Sequence, residues 1–438
     1  MDNLFMYNFF KEIINKEILK TYFTYKDIKN EYKEDDYFDK ILVKINIKIN
    51  DPNIGNLSSY EIKNLEINSD EGINKNFLEK VKEIKDEIEN DIDQYRNHQK
   101  KEWNLFYLYK EFFQKLDTKS NYYRGQSTNW PMYPGVLRDN TNTEFQTKFE
   151  IIYQNIMYRY PDIIEYYAPK IDREIIENRE QQLAHLQHYG LKTSLIDITE
   201  NPYIALLFMV SESSKKDFKN ALIDIYNINL KDHSERNIFS KVKMLKTNSR
   251  IIAQKGAFFN FDKVSLGNQD IEKIPLVRLQ LNPHFEVLDE REKLLEKIEE
   301  SFKKINEKIQ RVIKEISNLD GTGEIKQDTE INMNSSVLEL ILEQEKIKEN
   351  IKNLKKEIKY LKNYYDKISL DSIRYQIKQK LEEYHYKESE LFPDLYKHIG
   401  YVQAGYEENK EQIRKPKLKL SKKEDNTKNE LFNMMLDN

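Results

Sequence analysis

The chain has 438 residues, more than one ordinary domain needs, so its length points to two or three structural units. A third of the residues are charged, yet 71 basic against 75 acidic side chains leave a net charge of only −4, which gives no global electrostatic case for nucleic acid or an anionic membrane as a partner. Cysteine is absent, which excludes disulfides, thiol nucleophiles and thiolate metal sites.

In chain order, MDNLFMYNFFKEIINKEILK carries an acid at position 2 and charges every few residues, unlike a signal peptide. The longest clean apolar run, IALLFMV, is too short to span a membrane, so the expectation is a cytoplasmic protein with no membrane partner. LFMYNFFKEIINKEILKTYF has helical apolar spacing, and DKILVKINIKIND alternates like a half-buried strand. NKNFLEKVKEIKDEIENDIDQYRNHQKKEWNLFYLYKEFFQKL reads as one long helix or two in succession. Residues 1–104 are expected to form an N-terminal accessory region.

NYYRGQSTNWPMYPGVLR then predicts a strand running into a turn-rich loop. In LAHLQHYGLKTSLIDITENPYIALLFMV, Gly190 is expected to end a helix, and Asp197 falls in a short apolar strand. TENP marks a helix start, with Thr199 as N-cap and Pro202 in the first turn, and PYIALLFMV is apolar all round, as a fully buried helix is.

From Asp289 the character changes. Leu295, Ile298, Phe302, Ile305, Ile309, Val312, Ile316 and Leu319 are spaced alternately by three and four, and a second such series runs from Val337 to Ile368. A polar, Gly-bearing segment joins them, which predicts an antiparallel coiled-coil hairpin over 289–368 with arms on the order of 40 Å long. It is the expected surface for a protein partner or for self-association. The tail, 406–438, is charge-dense and expected to be disordered, and its Lys/Arg block is at most a weak contact for nucleic acid.

Four segments, NYYRGQSTNWPMYPGVLR, LAHLQHYGLKTSLIDITENPYIALLFMV, SRIIAQKGAFFNF and KESELFPDLYKHIGYV, resemble the four blocks of the FRG domain. That bacterial and phage-associated domain is named for an aromatic-Arg-Gly element, here Tyr123-Arg124-Gly125. The blocks occur in the family's order, and the hairpin falls between the third and fourth. The resemblance therefore implies an FRG-like domain in two parts, 105–288 and 369–405, around an insertion. Where the family usually shows Thr-Arg-Leu-Leu-Asp-Trp-Thr, this chain has Thr193-Ser194-Leu195-Ile196-Asp197-Ile198-Thr199, without the cation and the stacking ring.

Candidate site residues follow from chemistry. Arg124 ends an aromatic strand, and its planar, permanently charged fork suits two phosphate or carboxylate oxygens. Gly125 would allow a ligand close to the backbone, and Gln126 adds a polar contact. A strand ending in Arg-Gly also resembles the first motif of Arg-Ser-Glu-type ADP-ribosyltransferases, where the Arg holds the dinucleotide. The competing reading pairs Arg124 with a buried carboxylate such as Asp197. His185 and His188 could share a metal only with a carboxylate from elsewhere, so no metal is predicted. His188 reads as a general acid/base, beside Gln187 as a ligand contact, or else as a core histidine closing its helix. Asp197 could orient His188 or Arg124, or accept from a ribose hydroxyl. Arg250 and Gln254 offer a second phosphate cation and an amide that reads a base, and Glu286 is the candidate catalytic Glu.

These readings combine into an α+β protein: a mixed helix/strand core domain with an inserted antiparallel coiled-coil hairpin and an N-terminal accessory region. Its FRG-like domain is expected to bind a nucleotide, with NAD as the candidate substrate of ADP-ribosyl transfer or glycohydrolysis, in an antiphage or toxin-type effector. The alternative is a non-catalytic sensor or scaffold that recruits a protein through the hairpin.

Overall fold

The computed structural model describes residues 25–49, 60–97, 104–116, 120–169, 173–211, 218–241, 256–266, 270–320, 327–365 and 370–387. Its helices are α1 (Tyr25–Glu31), α2 (Glu34–Tyr37), α3 (Lys75–Asn97), α4 (Leu105–Lys115), α5 (Thr143–Arg159), α6 (Arg173–His188), α7 (Pro202–Val210), α8 (Leu230–Arg236), α9 (Glu286–Asp320), α10 (Gln327–Tyr364) and α11 (Leu370–Glu383). The strands are β1 (Phe38–Ile49), β2 (Tyr60–Ser69), β3 (Asn121–Gln126), β4 (Leu195–Thr199), β5 (Leu222–Asn227), β6 (Phe239–Ser240), β7 (Gly256–Asn260) and β8 (Ile274–His284). This mixture of helices and a largely antiparallel sheet is the α+β class that the alternating patterns predict. No helix among the described residues is long and apolar enough to cross a membrane.

All eight strands among the described residues join one sheet, in the order β2-β1-β8-β5-β3-β4-β7-β6. Every pairing is antiparallel except β1 with β8, which run parallel from Phe38 opposite Ile274 to Lys48 opposite His284. β1 shows the period of two that its sequence predicts, with Ile41, Val43, Ile45 and Ile47 fully buried. Its side of the chain is thus continuous with the strands that carry the FRG-like blocks.

Alternation puts a core on each face of the sheet. On one face Tyr123, Ile223, Ile225, Val277 and Leu279 pack with apolar residues of α3, α4, α7 and α11. On the other, Tyr122, Tyr226, Ile274 and Leu276 pack with α1, α5 and α6. α6 is fixed there by a buried charge cluster. Arg179 donates through Nε to Asp262 (2.9 Å) and through Nη2 and Nη1 to Glu150 (2.6 and 3.0 Å), and Tyr25 donates to the other Asp262 oxygen (2.6 Å). Burial alone would depress the Arg179 pKa, but Glu150 and Asp262 more than compensate and raise it, so the guanidinium stays charged.

α7 is buried as its composition predicts, with Ile204, Ala205, Leu206, Leu207, Met209 and Val210 inaccessible. Its N-cap is Asn201 rather than Thr199. Pro202 takes the first helical position, so the cap must immediately precede it, and the Asn201 side chain accepts from the amides of Tyr203 (3.0 Å) and Ile204 (3.4 Å). Thr199 instead accepts from the Asn201 amide (3.0 Å) and shapes the turn before the cap. The cap is braced from the far end of the chain: Asn201 Nδ2 donates to the Tyr386 hydroxyl (3.1 Å), just beyond α11, which packs on α7.

α9 continues directly from β8, and α10 returns along it. Arg291 pairs with Glu357 (2.9 Å), Glu299 with Lys355 (2.8 Å) and Glu292 with Lys362 (2.6 Å), an order that only antiparallel helices give. Ile305, Ile309 and Ile347 are buried between them, and the root of α10 (Leu354, Ile358, Leu361) enters the same core as α7. The predicted helix over 4–23, most of the fourth FRG-like block and the charged tail lie outside the described residues.

Gly125 is required by packing. A Cβ there would lie 1.8 Å from the carbonyl oxygen of Ala205 and 2.7 Å from its carbon, so β3 rests directly on the backbone of α7. That packing role is not foreseen by the sequence reading, which has this glycine admit a ligand. Because backbone rather than a pliable side chain must move, Gly125→Ala is expected to lose about 3 kcal/mol, at the upper end of overpacking costs. Chemical denaturation checks this, and an unchanged midpoint would contradict the contact.

Candidate functional site

The outer ladders of the two central strands are complete. β3 pairs with β5 from Asn121 opposite Asn227 to Gln126 opposite Leu222, and β4 pairs with β7 along its whole length. Between them, β3 and β4 meet only where Tyr123 lies opposite Thr199. Past that point the strands part, and a cleft of about 400 Å³ opens, with residues 124–127 on one wall and 195–198 on the other. The loops that follow β3 and precede β4 close its end. The Val136 amide donates to the Thr193 carbonyl (3.1 Å), and Gly135 sits so close to Lys192 that a Cβ would be 3.2 Å from its Cα.

Helix α6 delivers one polar group to this cleft. Gly190, at φ +94°, takes the left-handed conformation that ends a helix; its amide donates to Gln187 O (3.0 Å) and that of Leu191 to Leu186 O (3.1 Å). The fixed terminus aims Gln187 at Asp197, and its Nε2 lies 3.0 Å from both carboxylate oxygens. The Thr193 hydroxyl donates to Gln187 Oε1, which sets the orientation of the amide. Asp197 is the exposed residue of an otherwise buried β4. Gln187 and Asp197 thus meet as a pair in the cleft.

Arg124 faces a carboxylate across the sheet, although not the expected one. Its register partner is Asp224 on β5. Such cross-strand neighbours would normally pair, but Asp224 is fully buried and already engaged. Arg278 donates to it through Nε (2.7 Å) and Nη2 (3.0 Å), Tyr226 adds a hydroxyl (3.1 Å), and Arg278 also reaches Glu34 (3.0 Å). The Nη1 of Arg124 is left buried with no hydrogen-bond partner, and Gln126 Oε1 is in the same condition. An unmade buried bond costs about 1–3 kcal/mol, more for a charged group. Both residues line the cleft.

Arg138, on the loop after β3, completes the cationic side. Desolvation of its guanidinium and then the charge of Arg124 lower its pKa, and Asp197 opposes them, so all three groups share one electrostatic neighbourhood even though the residue as a whole stays exposed. With Lys192, the charged lining is three cations against one carboxylate. The charged lining is thus positive on balance, a field that favours anions.

The other expected residues lie elsewhere. His188 is absent from the cleft lining and packs edge-on against Tyr189, with ring centres 5.3 Å apart. His185 packs on the same tyrosine (5.2 Å), and burial followed by its neighbour His188 depresses its pKa. Among the described residues no three His, Cys, Asp or Glu side chains are placed to hold a metal. Glu286 is not in the cleft. It opens α9 after β8, which β5 separates from β3, and its ion pair with Lys48 lowers its pKa. Its expected role as a catalytic Glu in a shared site is therefore corrected by strand order. Arg250 and Gln254 lie outside the described residues.

Trp130, Arg138 and Lys192 were not anticipated. The first two fall within the block NYYRGQSTNWPMYPGVLR, whose turn-rich second half folds back over the cleft, but a lone Lys in a Lys-rich chain carries no signal. The family model of the FRG domain matches residues 119–218, which run from β3 through α7 and supply both walls of the cleft. No significant match was found among curated proteins or among solved structures.

The saturation of Asp224 is open to test. Arg278→Met strips a buried carboxylate of its main partner and is expected to cost about 3–5 kcal/mol, most of it recovered by adding Asp224→Asn. Denaturation midpoints of the single and double variants decide; equal stabilities would mean that the pair is not what satisfies Asp224.

Proposed function

We propose that this chain, which belongs to the FRG domain family through residues 119–218, binds a nucleotide between β3 and β4 and acts on it as an NAD glycohydrolase or ADP-ribosyltransferase. The observation that carries the reading is the buried, unpartnered Nη1 of Arg124 beside a second guanidinium in a cleft of mixed polar and apolar lining. A pyrophosphate offers the oxygen that Arg124 Nη1 lacks and a further one to Arg138, in the paired geometry that guanidinium matches best.

Asp197 then has a task suited to its placement. As the bond between nicotinamide and ribose C1′ breaks, the leaving nitrogen keeps the electron pair and the ribose gains oxocarbenium character. A fixed carboxylate stabilises that developing charge and accepts the proton of the attacking water or acceptor hydroxyl. Gln187 holds Asp197 for this without neutralising it. The mobile-element and phage association of the resembled family supports an antiphage or toxin-type setting. Arg124→Ala is expected to weaken nucleotide binding on the order of a hundredfold. Asp197→Asn should retain binding and lose turnover. Bacteria expressing the wild type, but neither variant, should lose NAD and grow poorly. Unchanged NAD together with no nicotinamide release by purified wild type would remove the enzymatic reading.

A scaffold reading is favoured by a separate observation. Leu338, Ile341 and Leu342, at i, i+3 and i+4 on α10, are 60, 39 and 55 % exposed, an apolar stripe on the helix pair that we infer to be an antiparallel coiled coil. If a second copy covers it, Leu338→Glu with Leu342→Glu should convert an oligomer to a monomer in light scattering. A monomeric wild type sinks the self-association reading.

A further inference from the structure

Arg124 accounts for the charge of a ligand and Asp197 for a hydroxyl or cationic ring, and neither accounts for Gln126. Gln126 ends β3, is only 5 % exposed, and keeps a buried Oε1 with no partner. A carboxamide sets an acceptor and two donors side by side, so its natural complement is another group that shows a donor next to an acceptor. Arg124 and Gln126 are two residues apart on one strand, hence on the same face and about 7 Å apart. A phosphate held at Arg124 therefore brings the base end of a nucleotide along the strand toward Gln126. On the loop that follows, Trp130 lines the same cleft, is 49 % exposed and stacks on no other ring among the described residues. A large indole face left open at a cationic cleft is a stacking platform for a heterocycle.

We infer that Gln126 and Trp130 are the ring-recognition elements of the cleft, selecting a flat heterocycle that bears an amino group beside a hydrogen-bond acceptor. The inference rests on the nucleotide reading and narrows it. Trp130 supplies sequence-tolerant stacking, and Gln126 supplies the choice, as a carboxamide does when it takes adenine by a bidentate contact. The carboxamide of a nicotinamide ring offers the same donor-acceptor pair. Rings that lack the amino group offer Gln126 Oε1 no donor.

The test is a set of binding measurements on the full chain, with inorganic pyrophosphate and two matched pairs of probes. The purine pair is ADP and the diphosphate of the 6-unsubstituted purine riboside. The pyridine pair is nicotinamide mononucleotide and nicotinic acid mononucleotide. The wild type should prefer the amino-bearing member of at least one pair, on the order of tenfold. A preference in the purine pair assigns adenine to the subsite, and one in the pyridine pair assigns the nicotinamide carboxamide. Gln126→Leu should bring that ratio close to one while pyrophosphate binding persists. Trp130→Ala, on a half-exposed side chain, should weaken both members of the preferred pair on the order of tenfold and leave pyrophosphate unchanged. The inference fails if the wild type shows no preference, if the preference survives Gln126→Leu, or if Trp130→Ala binds nucleotides like the wild type. Arg124-dependent binding without preference would sink this inference alone. Pyrophosphate and all four nucleotides failing to bind would sink the nucleotide reading with it.

Discussion

A single residue pair, Tyr123 opposite Thr199, is all that joins β3 to β4, and the cleft exists because the two strands separate beyond it. A sheet does not part cheaply, since neighbouring strands ordinarily satisfy each other's backbone groups. The parting persists because each strand is held from outside. β3 has its full ladder to β5 and rests on the backbone of α7, and β4 has its full ladder to β7. The two halves of the sheet are thus anchored to different neighbours, and the space between them is a property of the packed body rather than of a loop. The same parting puts Arg124 and Gln126 on one wall and Asp197 on the other, with α6 reaching in from its end to hold Asp197.

The buried charges outside the cleft bear on what is left inside it. Arg278 engages the buried Asp224, and Arg179 engages the buried Asp262 and the partly buried Glu150. Buried pairs of this kind add little net stability compared with apolar packing, yet losing one member is costly, so they define which partner goes with which. The outcome is a division of labour among arginines. Arg179 and Arg278 are spent on structure, whereas Arg124 faces the cleft with part of its fork unpaired.

Much of the site was legible because it breaks the local pattern. Arg124 at the end of an aromatic strand, Asp197 amid apolar β4 and Gln187 one turn from a helix-ending glycine are polar residues where the surrounding rhythm calls for apolar or neutral ones, and all three line the cleft. Element types were legible for the same reason, as the alternation in β1 shows. What could not be read depends on partners distant in sequence. Gly125 answers to Ala205, 80 positions on, and nothing near it distinguishes helix packing from ligand approach. β1 pairs in parallel with a strand more than 200 residues away, and Glu286 was assigned to the wrong neighbourhood because strand order is not encoded locally. Arg138 and Lys192 look like ordinary solvated charges until the two loops meet.

The return of the chain through α11 gives the long helical pair a mechanical character. At 35 residues, α9 extends on the order of 50 Å from its root, so a small rotation at the root becomes a large sweep at the tip. The converse is more consequential. A modest force on the tip acts through a long arm, and its torque falls on the root of α10 and on α11, which share a core with α7. α7 is the support against which Gly125, and with it the Arg124 wall, is seated. The root of the helical pair and the support of the cleft wall are thus parts of one packed core.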